Sequence, residues 1–108
     1  MPCGACVRGV ELYKLNGKLF DWDTNKDLTN ISKHGISFKE AASVFFDEQA
    51  IEFDDIAHSQ DEDRFLIIGR SRRMRLMVVC HCYRNNDTVR VISARKAAKH
   101  ETELYGGA

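Results

Sequence analysis

Two arginines and a histidine in the second half of the chain, Arg64, His81 and Arg90, have side chains suited to cleaving a phosphodiester. Arginines hold phosphate and stabilise the charge that develops on it in the transition state. Histidine titrates near neutrality, so His81 can act as base or acid. RNA supplies its own nucleophile, the 2′-hydroxyl, so such a site needs no metal. The alternative for His81 is a structural histidine, hydrogen-bonded on a central strand.

Three apolar runs position these residues and predict an antiparallel meander between 64 and 99. The runs are 65–68, 76–80 and 89–93, with turn sequences at 71–74 and 85–87. Side chains alternate across a strand, so the length of each loop decides which residues share a face. Loops of even length would place six residues on one face: Arg64, Arg70, Arg75, His81, Tyr83 and Arg90. A three-residue loop at 85–87 would instead pair Arg84 with Thr88 and turn Arg90 to the other side.

Positive charge around the meander predicts an RNA-binding surface without sequence readout. The predicted RNA-binding residues are Arg70, Arg72, Arg73, Arg75, Tyr83, Arg95 and Lys96. For the arginines at the hairpin tip, the alternative is a solvated turn that limits edge pairing.

The net charge of the chain is zero, but its distribution is uneven. Residues 1–63 carry 6 Lys or Arg against 13 Asp or Glu, and residues 64–108 carry 10 against 3. This separation favours an anion-binding surface in the second half. Two surfaces that neutralise each other are the alternative.

The remaining elements predict an α+β fold with a mostly antiparallel sheet. An N-terminal strand at 19–22 leads into two helices, at about 24–34 and 37–46, which pack on the sheet. The first begins at Asp23 or Thr24 and ends at Gly35, and the second begins with a capping box from Ser37 to Glu40. An edge strand at 50–54 precedes the meander, and a short C-terminal helix spans 95–105. With 108 residues and 44% hydrophobic content, the chain is one small domain at 19–105, preceded by an extension at 1–18 that is flexible or forms a short strand at 10–15.

The four cysteines predict no metal site. Cys80 and Cys82 share one strand face and are expected to be buried thiols. Cys3 and Cys6 have the spacing of a zinc half-site or a redox pair but lack a second pair. No cofactor motif is found, so we expect no cofactor. With no signal peptide and no apolar run near about 20 residues, a cytoplasmic, reduced protein is expected.

The order of short motifs resembles the BrnT toxins. The matching segments are 20–23, 33–38, 40–42, 45–47, 61–65, 68–71, 76–81 and 90–95, so the resemblance covers about residues 19–105. It implies a RelE-like fold and an endoribonuclease toxin of a type II toxin–antitoxin pair that blocks translation. It also implies a BrnA-type antitoxin partner, a DNA-binding protein expected to have a ribbon-helix-helix fold, in a hetero-oligomer with the toxin.

A second class of function remains open from the residues alone. The same basic face could belong to a non-catalytic regulatory module that binds nucleic acid or an acidic protein segment. An adjacent reading frame for a small ribbon-helix-helix-like protein would favour the toxin.

Overall fold

The computed structural model describes residues 6–7, 9–55, 63–84 and 87–106. The strands are β1 (Cys6–Val7), β2 (Val10–Leu15), β3 (Lys18–Asp23), β4 (Ile51–Asp54), β5 (Phe65–Arg70), β6 (Leu76–Arg84) and β7 (Thr88–Lys96). The helices are α1 (Thr24–His34), α2 (Phe38–Ser43) and α3 (Lys99–Gly106), and a 3-10 helix at Val44–Phe46 continues α2. In this part of the chain the strands form one sheet in the order β1-β2-β3-β7-β6-β5-β4. Only β3 and β7 run parallel among its neighbours, so the predicted α+β fold with a mostly antiparallel sheet is confirmed.

The N-terminal hairpin joins β2 to β3 and extends the sheet on the β3 side. Asn16 and Gly17 form its turn with φ values of 50° and 83°, as an Asn-Gly pair favours. The strand predicted at 10–15 is therefore confirmed, and it adds to the sheet. The predicted Cys3 and Cys6 pair lies outside the described side chains.

Helix α1 has the predicted ends. Asp23 is its N-cap, since its Oδ1 accepts hydrogen bonds from the backbone N–H of Asn25 at 2.8 Å and of Lys26 at 3.2 Å. Gly35 ends the helix at φ 68°, and its N–H donates to the Ile31 carbonyl at 2.8 Å. This left-handed conformation costs glycine little, which is why the helix stops there.

Helix α2 begins with half of the predicted capping box. The Ser37 hydroxyl accepts a hydrogen bond from the Glu40 N–H at 3.1 Å. The Glu40 carboxylate points to the β5–β6 loop, where it binds Ser71 and Arg75. Glu40 therefore links α2 to the sheet instead of closing its own cap.

The main core lies between α1, α2 and one face of the sheet, which we call the helix face. Its large buried side chains come from both layers and include Phe20, Trp22, Phe38, Val79 and Val91. Strand β5 contributes Gly69, where a Cβ atom would lie 2.9 Å from Val44 Cγ1. The missing side chain allows the 3-10 helix to approach the sheet closely.

The C-terminal helix starts later than predicted. Arg95 and Lys96 continue the ladder of β7, opposite Val78 and Met77 of β6, so the predicted helix start at 95 is wrong. The carboxylate of Glu101 accepts a hydrogen bond from the Ala98 N–H at 2.7 Å and thereby caps α3. Within the described residues, none of the helices is long and apolar enough to cross a membrane.

Candidate functional site

Both hairpin loops of the meander contain an odd number of residues. Arg70 of β5 pairs with Leu76 of β6, which leaves five residues, 71–75, in the first loop. Arg84 pairs with Thr88, which is the three-residue alternative for the second loop. The prediction that six residues share one face is therefore wrong, because a change of one residue in a loop moves the following strand's side chains to the opposite face.

Ser71 accounts for the longer first loop. Its N–H donates to the Arg75 carbonyl at 2.9 Å, and its own carbonyl accepts from the Met74 N–H at 2.8 Å. Its buried hydroxyl donates to Glu40 at 2.7 Å. These contacts depend on α2, which is distant in sequence, so the turn residues alone do not define the loop.

The odd loops divide the predicted site between the two faces of the sheet. His81 and Tyr83 lie on the helix face, across from Phe65 and Val89 respectively. Arg90 lies opposite Cys82 on the other face, which we call the second face. The second face is defined by Ile68, Val78, Cys80, Cys82 and Arg90.

His81 is completely buried at the β4 side of the helix face. Its ring packs against Phe45 and Phe65, with centroids 4.7 and 6.0 Å away. Its Nε2 lies 2.7 Å from Glu52 Oε2, and the same oxygen accepts a hydrogen bond from the Tyr83 hydroxyl at 2.5 Å. The cluster ties the edge strand β4 to β6 across β5.

The Val79 carbonyl indicates which ring nitrogen of His81 carries a proton. Nδ1 lies 3.2 Å from the Val79 carbonyl oxygen, which can only accept, so Nδ1 carries a proton in this arrangement. Burial lowers the pKa of His81, and the Glu52 hydrogen bond opposes that shift. Burial and the same carboxylate raise the pKa of Tyr83.

We expect His81→Ala to lower stability by about 2 kcal/mol or more, because it leaves a cavity between two aromatic rings and removes a partner of Glu52. Thermal unfolding measures this loss. Tyr83→Phe is the control, since it removes one hydrogen bond to Glu52 and keeps the packing. An unchanged melting temperature in His81→Ala would show that the ring does not support the core.

A cavity of about 220 Å³ opens on the second face, beside the end of β4. Arg64 and Arg95 line it together with Asp55, Cys80 and Ser93. The Asp55 N–H donates to the Arg64 carbonyl at 2.8 Å, which holds the segment before β5 against the end of β4. Two cationic side chains and a carboxylate thus surround one cavity that is large enough for a nucleotide phosphate and sugar.

Cys80 lines this cavity and is not a nucleophile. Its Sγ donates to Asp55 Oδ2 at 3.7 Å. Burial and the Asp55 charge raise the pKa of the thiol to about 11, so it stays protonated at neutral pH. The prediction of buried thiols at Cys80 and Cys82 is confirmed.

Carboxylates from other elements hold two arginines of the second face in place. Arg90 Nε donates to Asp21 Oδ1 at 2.7 Å. Arg95 donates from both terminal nitrogens to Glu101, each at 2.7 Å, and this arginine lowers the pKa of Glu101 to about 2. A guanidinium fixed in this way loses less conformational freedom when it binds an anion.

Most arginines in and beside the β5–β6 loop are exposed. Arg70, Arg72 and Arg73 lie at the surface, as does Lys96 at the end of β7. Arg75 differs, because its Nε and Nη2 both donate to the buried Glu40 carboxylate, at 2.8 and 2.5 Å. Arg75 therefore has a structural partner in α2, and its predicted part in a phosphate clamp stays a prediction.

Sequence reasoning missed the acidic partners and the cavity residues. Asp21, Glu101, Asp55 and Ser93 received no role, although three of them are carboxylates beside or within the cationic surface. The signal available was weak, since the Asp21–Arg90 pair spans 69 positions. Across the described ranges, no group of His, Cys, Asp and Glu side chains is arranged to hold a metal ion.

The comparisons with known proteins concern the family and the fold of the chain. Residues 22–101 match the family model described as the ribonuclease toxin BrnT of type II toxin–antitoxin systems. A solved structure, that of the Brucella abortus ribonuclease toxin BrnT, is 28% identical with a TM-score of 0.55, and the match covers 72% of this chain and 94% of that chain. Among curated proteins, none matches the sequence significantly.

Proposed function

Because the chain belongs to the BrnT family of ribonuclease toxins from type II toxin–antitoxin systems, we propose that it is a metal-independent endoribonuclease whose cleavage of RNA inhibits translation. The observation that carries this proposal is the cavity on the second face, where Arg64 and Arg95 flank Asp55. Cationic groups beside a possible proton acceptor are what RNA cleavage by its own 2′-hydroxyl requires.

The proposed reaction forms a bond between the 2′-oxygen and the adjacent phosphorus as the bond from phosphorus to the 5′-oxygen breaks. We assign to Asp55 the acceptance of the proton from the 2′-hydroxyl, and water returns a proton to the leaving 5′-oxygen. Arg64 and Arg90 stabilise the negative charge on the phosphorus oxygens. The products are a 2′,3′-cyclic phosphate and a 5′-hydroxyl.

His81 has no direct role in this scheme. Its ring is fully buried and lies on the helix face, so it does not reach a substrate bound among the second-face arginines. In this scheme the proton acceptor is Asp55, which lines the cavity of the second face. Arg70, Arg72, Arg73, Arg95 and Lys96 keep their proposed role in holding the RNA backbone, whereas Tyr83 is bound to Glu52 on the helix face.

The proposed partner is a BrnA-type antitoxin with a DNA-binding domain, which forms a hetero-oligomer with the toxin. An acidic or amphipathic segment of that protein would cover the cationic second face and block RNA entry. The family supports an antitoxin as such, and the charge of this face supports the acidic character of the segment.

We expect cleavage to persist in EDTA and to leave a cyclic phosphate, because the attacking group belongs to the RNA. The measurement compares an RNA cut by the purified protein with the same RNA carrying a 2′-deoxy residue at the cut position. Asp55→Asn serves as the matched variant, since it keeps the shape of the side chain and removes its basicity.

Continued cleavage of the deoxy substrate would show that a water molecule attacks instead. Loss of cleavage in EDTA, restored by a divalent cation, would overturn metal independence. Expression without the antitoxin that affects neither growth nor RNA integrity would contradict the toxin function itself.

A further inference from the structure

A second cavity, of about 330 Å³, lies between α1 and β7. Lys26, Lys33 and His34 of α1 line one side of it, and Ser93 lines the other. Lys26 and Lys33 are two helical turns apart, so their Cα atoms are separated by about 10 Å along the helix. They can therefore contact different phosphates of one extended strand.

The one carboxylate at this cavity is already engaged. Asp23 caps α1, with its Oδ1 bound to two backbone N–H groups at 2.8 and 3.2 Å. That position turns the carboxylate toward the helix end, where it offsets the dipole of α1. Of the other lining side chains, Lys26 and Lys33 carry positive charge, and the rest are uncharged polar groups, His34 and Ile92.

The two cavities meet at Ile92 and Ser93, which line both. The ladder between β6 and β7 shifts register here, since Cys80 pairs with Ser93 while His81 pairs with Val91. Ile92 is the extra residue of this β-bulge. Bulges are common beside active sites because they redirect side chains, and this one directs Ile92 and Ser93 to the cavity that Arg64 lines.

Strand β7 can line both cavities because its pairing with β3 is short. The parallel pairing of β3 with β7 ends at Asp21 and Arg90. Beyond that point the side chain of Asn30 in α1 binds the backbone of β7. It accepts a hydrogen bond from the Ala94 N–H at 3.1 Å and donates one to the Ile36 carbonyl at 2.9 Å. This buried amide fixes α1 against β7, so the wall of the second cavity is held in position.

We propose that the cleft between α1 and β7 is a second RNA-binding subsite. It holds the phosphates of nucleotides next to the one that is cleaved, on a path that crosses the bulge from Arg64 to Lys33. The subsite reads the backbone rather than the bases, because its charged groups are lysines on a helix surface. The inference rests on the proposed ribonuclease function. It extends the contact with single-stranded RNA beyond the nucleotide that is cleaved.

The test compares Lys26→Ala/Lys33→Ala with Lys14→Ala/Lys39→Ala, a control that removes the same charge from exposed positions elsewhere. Each protein cleaves a long RNA and a minimal fragment with the same cut site, and KM and kcat are measured for both. We expect the first pair to raise KM for the long RNA severalfold with kcat unchanged, and to leave the minimal fragment unaffected. The slope of log affinity against log salt should fall by about 1.4 in magnitude for two lost phosphate contacts.

Equal effects in both double variants, or an equal loss on the minimal fragment, would overturn the subsite. A double variant that cleaves long RNA normally but binds the antitoxin less tightly would also overturn it, since the cleft would then be a protein-binding surface. If the parent protein cleaves no RNA, the proposed function fails, and fluorescence anisotropy with labelled oligouridylate still decides the inference. Weaker binding in Lys26→Ala/Lys33→Ala alone supports it, and equal binding contradicts it.

Discussion

Arg64→Ala is expected to slow RNA cleavage by about 100- to 1,000-fold, the loss typical when one preorganised group that stabilises transition-state charge is removed. Arg64 lines the cavity of the second face beside Asp55 and Arg95. Its position before β5 is held through the backbone by the hydrogen bond from Asp55, which the substitution retains. The loss should therefore appear in the rate constant of single-turnover cleavage. The circular dichroism spectrum of the variant should match that of the parent.

Arg84→Ala is the control for net charge. Arg84 is an exposed residue at the end of β6, 3.8 Å from Asp21, and does not line the cavity that Arg64 lines. We expect its cleavage rate to stay close to that of the parent. Arg64→Lys separates charge from shape, because a lysine keeps the charge and lacks the planar fork that binds two phosphate oxygens. A folded Arg64→Ala protein that cleaves RNA at the parent's rate would place the reaction elsewhere.

Arg75→Ala is expected to cost about 3 kcal/mol of folding free energy, because it leaves the buried Glu40 carboxylate without its main partner. Glu40 is 3% exposed and receives two hydrogen bonds from Arg75 and one from Ser71. In a domain of this size the change corresponds to a fall in melting temperature of about 10–20 °C. Arg73→Ala provides the comparison. Its guanidinium lies 4.0 Å from Glu40 on a side chain that is 71% exposed, and its loss should cost at most about 1 kcal/mol.

The pH dependence of this effect has a definite sign. The Arg75 hydrogen bond, followed by Ser71 and the nearby charges, lowers the pKa of Glu40 below its ordinary value of 4.5. A carboxyl group whose pKa is lowered on folding stabilises the fold above that ordinary value and loses the contribution as the pH falls through the folded pKa. The difference in unfolding free energy between the parent and Arg75→Ala should thus shrink below pH 4.5. A difference that is constant from neutral to acidic pH would show that packing of the Arg75 stem, rather than the ion pair, stabilises the loop.

Local chemistry made several elements predictable. The caps at Asp23, Gly35 and Ser37 depend on residues within four positions along the chain, and all three appear where the sequence indicated. The Asn16-Gly17 turn is of the same kind, since its positive φ values follow from the two residues themselves. The family was also predictable, because the order of its short motifs is a property of the sequence.

The composition of the candidate site was only partly predictable. Arg64, Arg90 and Arg95 were identified as cationic residues, and they lie on or beside the second face. The carboxylates that bind these arginines were not identified, since Asp21 and Glu101 approach them through contacts made in the folded protein. His81 was placed with the arginines and lies across the sheet from them.

The sequence by itself determined the strands of the meander, both ends of α1, the start of α2, the uneven charge and the family, because each depends on neighbouring residues or on their order. Only the tertiary structure decided which face each side chain takes. That choice turns on a single residue in each loop, and in the first loop it is made by Ser71 and Arg75 binding Glu40, which precedes them by more than thirty positions. In β7 the bulge at Ile92 likewise decides which face the side chains after it take. The contacts with Glu40 exist only when α2 and the sheet have packed together, so the separation of His81 from Arg64 is a property of the fold.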